Sequence, residues 1–157
     1  MITPVLLVDE LRDFIEPIVQ NYWLETNMGT SKPPQVITGY LPPKDPTKED
    51  PDFPFVIVRL SDGTDEQDGA TITVHIIVGA YSRDSQQGWK DVANVIQRIW
   101  TELFKRRTIG NKFRVEYPMK FEIPEDQPYP HWVGIMTTTW TVAHPVLEPA
   151  LEGIDYE

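Results

Sequence analysis

The chain has 157 residues, 24 Asp and Glu against 14 Lys and Arg, a formal charge of -10 and no cysteine. That length suits one domain able to bury about two thirds of its unfolded surface, and the missing cysteine excludes disulfides, thiolate metal sites and thiol nucleophiles. The acidity opposes sequence-specific nucleic-acid binding, which draws on Lys and Arg displacing counterions around phosphates, and no apolar run approaches the roughly 20 residues of a membrane span. With no basic region and apolar core of a signal peptide at its start, the chain is expected to be made in the cytoplasm.

Thr3 and Pro4 read as the cap and first residue of a helix whose Leu7, Leu11, Phe14, Ile15, Ile18 and Tyr22 share one face. Pro17 falls inside that pattern and is expected to kink or divide it near residues 14–17, while Asp9 and Glu10 are placed in the opening turn, where the helix dipole favours them. Residues 27–54 are thick with proline, from Pro33 and Pro34 to Pro51 and Pro54, and predict an extended connection carrying at most a short strand over 35–41 and mobile near 43–52.

Residues 55–60 read as a compact apolar strand. A polar connection over 61–69 then leads to the most legible strand of the chain, in which Ile72, Val74, Ile76, Val78 and Ala80 point one way and Thr71, Thr73, His75, Ile77 and Tyr81 the other. One apolar and one mixed face predict a sheet packed by helices on one side and half open to water or a neighbouring subunit on the other. Gly79 marks a weakened end or a bulge. Asp84 or Ser85 then offers an N-cap for the strongest amphipathic helix, with Trp89, Val92, Ala93, Ile96, Ile99, Trp100, Leu103 and Phe104 at helical spacing. Lys105, Arg106 and Arg107 suit its last turn, and Gly110 is a candidate stop.

Phe113, Val115 and Tyr117 alternate with charged residues in a strand that Pro118 is expected to end, with residues 121–123 continuing after a bend. Trp132, Gly134, Met136, Thr138, Trp140 and Val142 form one face of the last strand, opposite Val133, Ile135 and several threonines. The expected architecture is α+β: about four strands in a mostly antiparallel sheet, with two main helices packed on one face. It is a single domain over residues 1–145, followed by an acidic, weakly ordered tail over 146–157.

Sites of chemistry are sparse. The carboxylates Asp62, Asp65, Glu66 and Asp68 fail the alternating spacing and distant Glu of an EF-hand, so a solvated hairpin tip is the simpler reading. His75, His131 and His144 lack the helical pairing of metal ligands. Neither a Gly-x-Ser-x-Gly elbow nor a glycine-rich phosphate loop is present. No catalytic, cofactor or metal residue is assigned, and a non-enzyme is expected. The 33–54 segment and the turn carrying Tyr129, His131 and Trp132 are candidate partner contacts, with core packing the competing role for Trp132.

The run Phe53-Pro54-Phe55-Val56-Ile57-Val58-Arg59-Leu60, then Ile76-Ile77-Val78-Gly79-Ala80-Tyr81-Ser82 leading to Gly88-Trp89-Lys90-Asp91-Val92, and finally Pro128-Tyr129-Pro130-His131-Trp132 resemble, in order and spacing, the tail-completion or tail-terminator proteins of long-tailed bacteriophages and prophages. The resemblance spans residues 4–145. It implies helices on one face of a mostly antiparallel sheet and a virion component without a cofactor. It also implies a homo-oligomeric ring, typically a hexamer, at the head-proximal end of the tail, contacting the tail-tube protein and the head-completion or connector protein. In such a ring Asp62, Asp65, Glu66 and Asp68 are candidate lumen-facing residues that let DNA pass without sticking. A head-closure or neck connector protein, and a small acidic ligand-binding or enzyme domain, are the alternatives.

Overall fold

The computed structural model describes residues 3–43, 52–67 and 69–142. Helix α1 (Pro4–Val19) starts as its sequence dictates: the Thr3 hydroxyl accepts from Leu6 N at 3.1 Å and Pro4 occupies the first turn. It buries Leu7, Val8, Leu11, Ile15 and Val19. Pro17 does not divide it. The proline sits two residues before the helix end, so only one backbone bond is forfeited, to the carbonyl of the solvent-exposed Asp13. No acidic residue falls in the first turn, because the helix begins at Pro4 and Asp9 and Glu10 come one turn later.

The proline-rich stretch holds more regular structure than its composition predicts. Strands β1 (Leu24–Glu25) and β2 (Ser31–Lys32) form a small antiparallel pair, and β3 (Gln35–Thr38) lies within the predicted 35–41 window. The expectation of mobility concerns mainly residues 44–51, which lie outside the described residues.

Strand β4 (Phe55–Glu66) runs antiparallel to β5 (Gly69–Tyr81). Helix α2 (Trp89–Arg106) then leads to β6 (Thr108–Ile109), β7 (Phe113–Glu122) and β8 (His131–Val142). The main sheet therefore has six strands, not about four, in the order β3-β4-β5-β8-β7-β6. It is mixed: β3 joins β4 in parallel and the other pairings are antiparallel. The count differs because β3, foreseen only as a short strand within a connection, joins the main sheet, and β6 is two residues long, too short for alternation to register.

Both helices pack on one face, as expected. Val56, Val58, Ile72, Val74, Ile76, Val78, Met136 and Trp140 share a single core with Leu11, Ile15, Val95, Ile96 and Ile99. At Gly134 an added Cβ would stand 2.7 Å from both Ile96 Cδ1 and Val92 Cγ1, so α2 lies directly on the backbone of β8. Thr138 is the polar member of this core: its hydroxyl donates to Val74 O at 2.8 Å and accepts from the Trp140 indole N–H at 2.8 Å.

Several boundaries move by a few residues. Asp84 does not cap α2; its carboxylate accepts from Gln86 N (2.9 Å) and Gln87 N (3.0 Å) in a preceding turn, and Gly88 is the residue before the helix. The helix stops at Arg107, not Gly110. Arg107 adopts the left-handed conformation (φ 63°), with its N–H on Leu103 O at 2.7 Å and its guanidinium bonded to Val115 O and the Tyr117 hydroxyl, both at 3.2 Å. Those bonds hold a conformation that favours glycine. Gly110 (φ 61°) belongs to the turn between β6 and β7, where a side chain would collide with the Glu10 carboxylate. Pro118 does not end β7. Between Glu116 and Lys120 the strand advances four residues while β8 advances two, and this bulge absorbs the proline. At Gly79 the β4–β5 ladder continues without a bulge; glycine is needed there because a Cβ would meet the Phe55 ring and stand 2.8 Å from Phe53.

Candidate interaction surface

The pleat that sends alternate residues to the core sends the others to a sheet face on which neither helix packs. Register places Ile37, Ile57, Ile77 and Ile135 in one row across β3, β4, β5 and β8, ending on Glu122 of β7. The adjoining row is Gln35, Phe55, Gly79 and Val133. Phe53 stacks beside it, with ring centroids 4.8 Å from Phe55 and 4.4 Å from His131, and His131 meets Tyr81 edge-on at 5.6 Å. This end of the face is aliphatic and aromatic.

Toward the β4–β5 hairpin the same face turns polar. Arg59, His75, Thr137 and Lys120 form one row, Asp62, Thr73, Thr139 and Glu116 the next, and Thr64, Thr71, Thr141 and Arg114 the last. The Thr141 hydroxyl donates to Glu116 Oε2 at 2.7 Å, and Arg59 Nε donates to Gly39 O at 2.9 Å beneath the Tyr40 ring.

Asp62, Asp65 and Glu66 are not loop residues, as the sequence suggested, but belong to β4 itself. Strand propensity misses this because Ser, Asp and Gly over residues 61–65 read as turn chemistry, whereas pairing with β5 holds them extended past a register shift between Leu60 and Asp62. Their partners are Thr73, Ala70 and Gly69, so Asp62 and Glu66 share the outer face while Asp65 points to the opposite one. Asp68 lies outside the described residues. Because β3 pairs only with residues 55–58 of β4, the carboxylates line a stretch of edge strand, where charge discourages unwanted strand pairing. Near the tip, Glu66, Gln67 and Thr71 face Lys112, Arg114 and Thr141 across an open cleft of about 570 Å³.

The other candidate contact splits. Tyr129 is 54% exposed and its hydroxyl donates to Arg83 O at 2.6 Å, and His131 is half-buried in the aromatic stack. Trp132 is buried, 9% exposed; its indole N–H donates to Ser82 O at 3.0 Å, and Gly88 fits against its ring. Beside this turn, burial raises the Asp91 carboxyl above the usual range, with Glu25 and Asp84 adding repulsion.

One feature escaped the sequence reading. Trp100 and Phe104 of α2 lie against Tyr117 and Phe121 of β7, with centroids 5.4 to 5.5 Å apart. The i, i+4 spacing of Trp100 and Phe104 signalled an apolar helix face, but not that this face runs past the core to the end of β7 beyond its pairing with β6. Among the described residues no group of three His, Asp or Glu side chains is arranged to hold a metal, and no helix is long and apolar enough to cross a membrane. No protein-family model matches the chain, and no curated protein sequence matches it.

Proposed function

We propose that this chain is a structural protein of a long-tailed bacteriophage or prophage, a tail-terminator or tail-completion protein that assembles as a ring on the tail tube and joins tail to head. The observation that carries the reading is the helix-free sheet face, half of it aliphatic and aromatic around Ile37, Ile77, Ile135 and Val133, and half threonine-rich. A six-stranded sheet that takes both helices on one side and keeps Ile37, Ile77, Val133 and Ile135 only half-buried on the other has a surface suited to a neighbour. Of the sequence stretches that resemble such proteins, residues 53–60 supply Phe53 and the first half of β4, residues 76–82 the end of β5 and residues 128–132 the turn into β8, all bordering this face, while residues 88–92 open α2 on the opposite side.

In this reading the hairpin carrying Asp62, Asp65 and Glu66, with Asp68 beyond them, faces the lumen, where negative charge keeps DNA from adhering. Tyr129 and His131 contact the tail-tube or connector protein. Light scattering of the purified protein, alone and with its cognate tail-tube protein, tests the ring. A mass near six times the 18.1 kDa protomer in either sample is the expected result; a monomer in both would overturn it. Infectivity of a phage carrying Asp62→Asn, Asp65→Asn and Glu66→Gln tests the lumen assignment separately, with wild-type titre the contrary outcome.

A further inference from the structure

The aromatic strip between α2 and β7 is a second exposed surface. Phe104 stacks on Tyr117 with centroids 5.4 Å apart, Trp100 meets Phe104 at 5.5 Å, and Phe121 stands edge-on to Trp100 at 5.5 Å, so the four rings are continuous. The Arg107 guanidinium lies 4.5 Å from the Tyr117 centroid and closes one end. Tyr117 is 63% exposed and Phe121 51%. The bulge between Glu116 and Lys120 puts Tyr117 where the β7–β8 register is broken. Large rings gathered half-wet in one strip, with an arginine beside them, have the composition of a binding hot spot.

The surroundings are basic in an acidic protein. Residues 98–107, at the end of α2 and its cap, carry four Lys and Arg against one Glu, in a chain of net charge -10. Lys105 and Arg106 occupy the last turn of α2, next to Arg107. A fitting ligand is therefore an apolar segment bearing carboxylates.

Such a segment lies at the other end of this chain's own sequence. Residues 146–157 contain Leu147-Glu148, Leu151-Glu152, Ile154-Asp155 and Tyr156-Glu157, an apolar residue followed at once by a carboxylate each time, with no Lys or Arg among them. Reach is sufficient. The described part of the chain ends at Val142 of β8, beside β7, and Phe121 pairs with Met136 of that strand. Six residues of strand are roughly 20 Å, whereas the fifteen residues after Val142 span up to about 50 Å when extended.

We propose that residues 146–157 dock on the Trp100-Phe104-Tyr117-Phe121 strip, with Leu147, Leu151, Ile154 and Tyr156 on the rings and the carboxylates toward Arg107 and the basic end of α2. The docking is independent of ring formation, since the strip is available to the same chain's tail and to that of a neighbouring copy.

The test uses the full chain with a benzophenone-bearing amino acid in place of Leu151, irradiated, digested and mapped by mass spectrometry. Adducts on peptides containing Trp100, Phe104, Tyr117 or Phe121 are expected. A monomeric product assigns the tail to its own chain and a dimeric product to a neighbour. Neutralising the tail with Glu148→Gln, Glu152→Gln and Asp155→Asn leaves every described residue in place and is expected to cut the adduct yield about fivefold, the sum of three modest ion pairs. Adducts confined to other surfaces, or a yield no higher than with the probe at exposed Gln86, would overturn the proposal. So would a yield indifferent to the neutralised tail.

Discussion

Thr138 offers the sharpest test of how the core of this sheet is held. Its hydroxyl is fully buried and bridges Val74 O and the Trp140 indole N–H, both at 2.8 Å. Thr138→Val keeps the shape and β propensity of the side chain but removes the hydroxyl, so the Trp140 N–H is left in an apolar core without a partner. A stranded buried donor costs about 1–3 kcal/mol. Removing the hydroxyl itself offsets some of that, so a loss of about 1–2 kcal/mol is expected. Thr138→Ser retains both hydrogen bonds and loses one methyl, for a smaller loss of about 1 kcal/mol. Urea denaturation followed by tryptophan fluorescence, with circular dichroism as a second probe, measures both. In a chain of this length each kcal/mol also lowers Tm by roughly 2–4 °C. If Thr138→Val matched wild type while Thr138→Ser did not, the methyl alone would matter and the bridging role of the hydroxyl would be refuted.

Three further outcomes follow from the same geometry. Gly79→Ala places a methyl against the Phe55 ring and 2.8 Å from Phe53, and should lower stability by about 1–3 kcal/mol in the same denaturation assay. Asp91 has its folded-state value raised by burial and by Glu25 and Asp84. The charged form is therefore disfavoured in the fold, and stability falls as pH rises through that raised value. Asp91→Asn should be more stable than wild type at pH 7, and the difference should shrink as pH drops toward the ordinary Asp range; a pH-independent difference contradicts this. Changing Ile77 and Ile135 to Ser takes two adjacent aliphatic side chains from the helix-free face. Each is only half-buried, so a loss of about 1 kcal/mol apiece is expected, while self-association, read by light scattering, should be abolished.

The two long strands and both helices were legible because each repeats its apolar residues over enough turns or pleats for the period to show. Ile72, Val74, Ile76, Val78 and Ala80 point to the core as their alternation predicts, and so do Trp132, Gly134, Met136, Thr138 and Trp140. Thr3 and Pro4 announced the first helix start because that cap is local, a hydroxyl reaching an N–H three residues on. The C-terminal end of α2 was missed because a distant group decides it. Arg107 terminates α2 because Val115 and Tyr117 bind its guanidinium, and nothing near it in sequence foretells them.

The candidate surface divides along the same line. The residues of the helix-free face could be named from alternation, but their assembly into an aliphatic end and a threonine end needed the pairing of β3, β4, β5 and β8. Asp62, Asp65 and Glu66 carry turn-like composition and became strand because β5 supplies the partners that propensity does not. The aromatic strip brings together Trp100 and Phe121 from elements whose juxtaposition depends on β8 entering the sheet between β5 and β7. By itself the sequence determined the periods, the charge balance and the locally capped helix start, since these depend on neighbours a few residues away. Only the tertiary structure decided the strand order, the edge carrying the carboxylates and the rings left half-wet, because those depend on which distant segments pair.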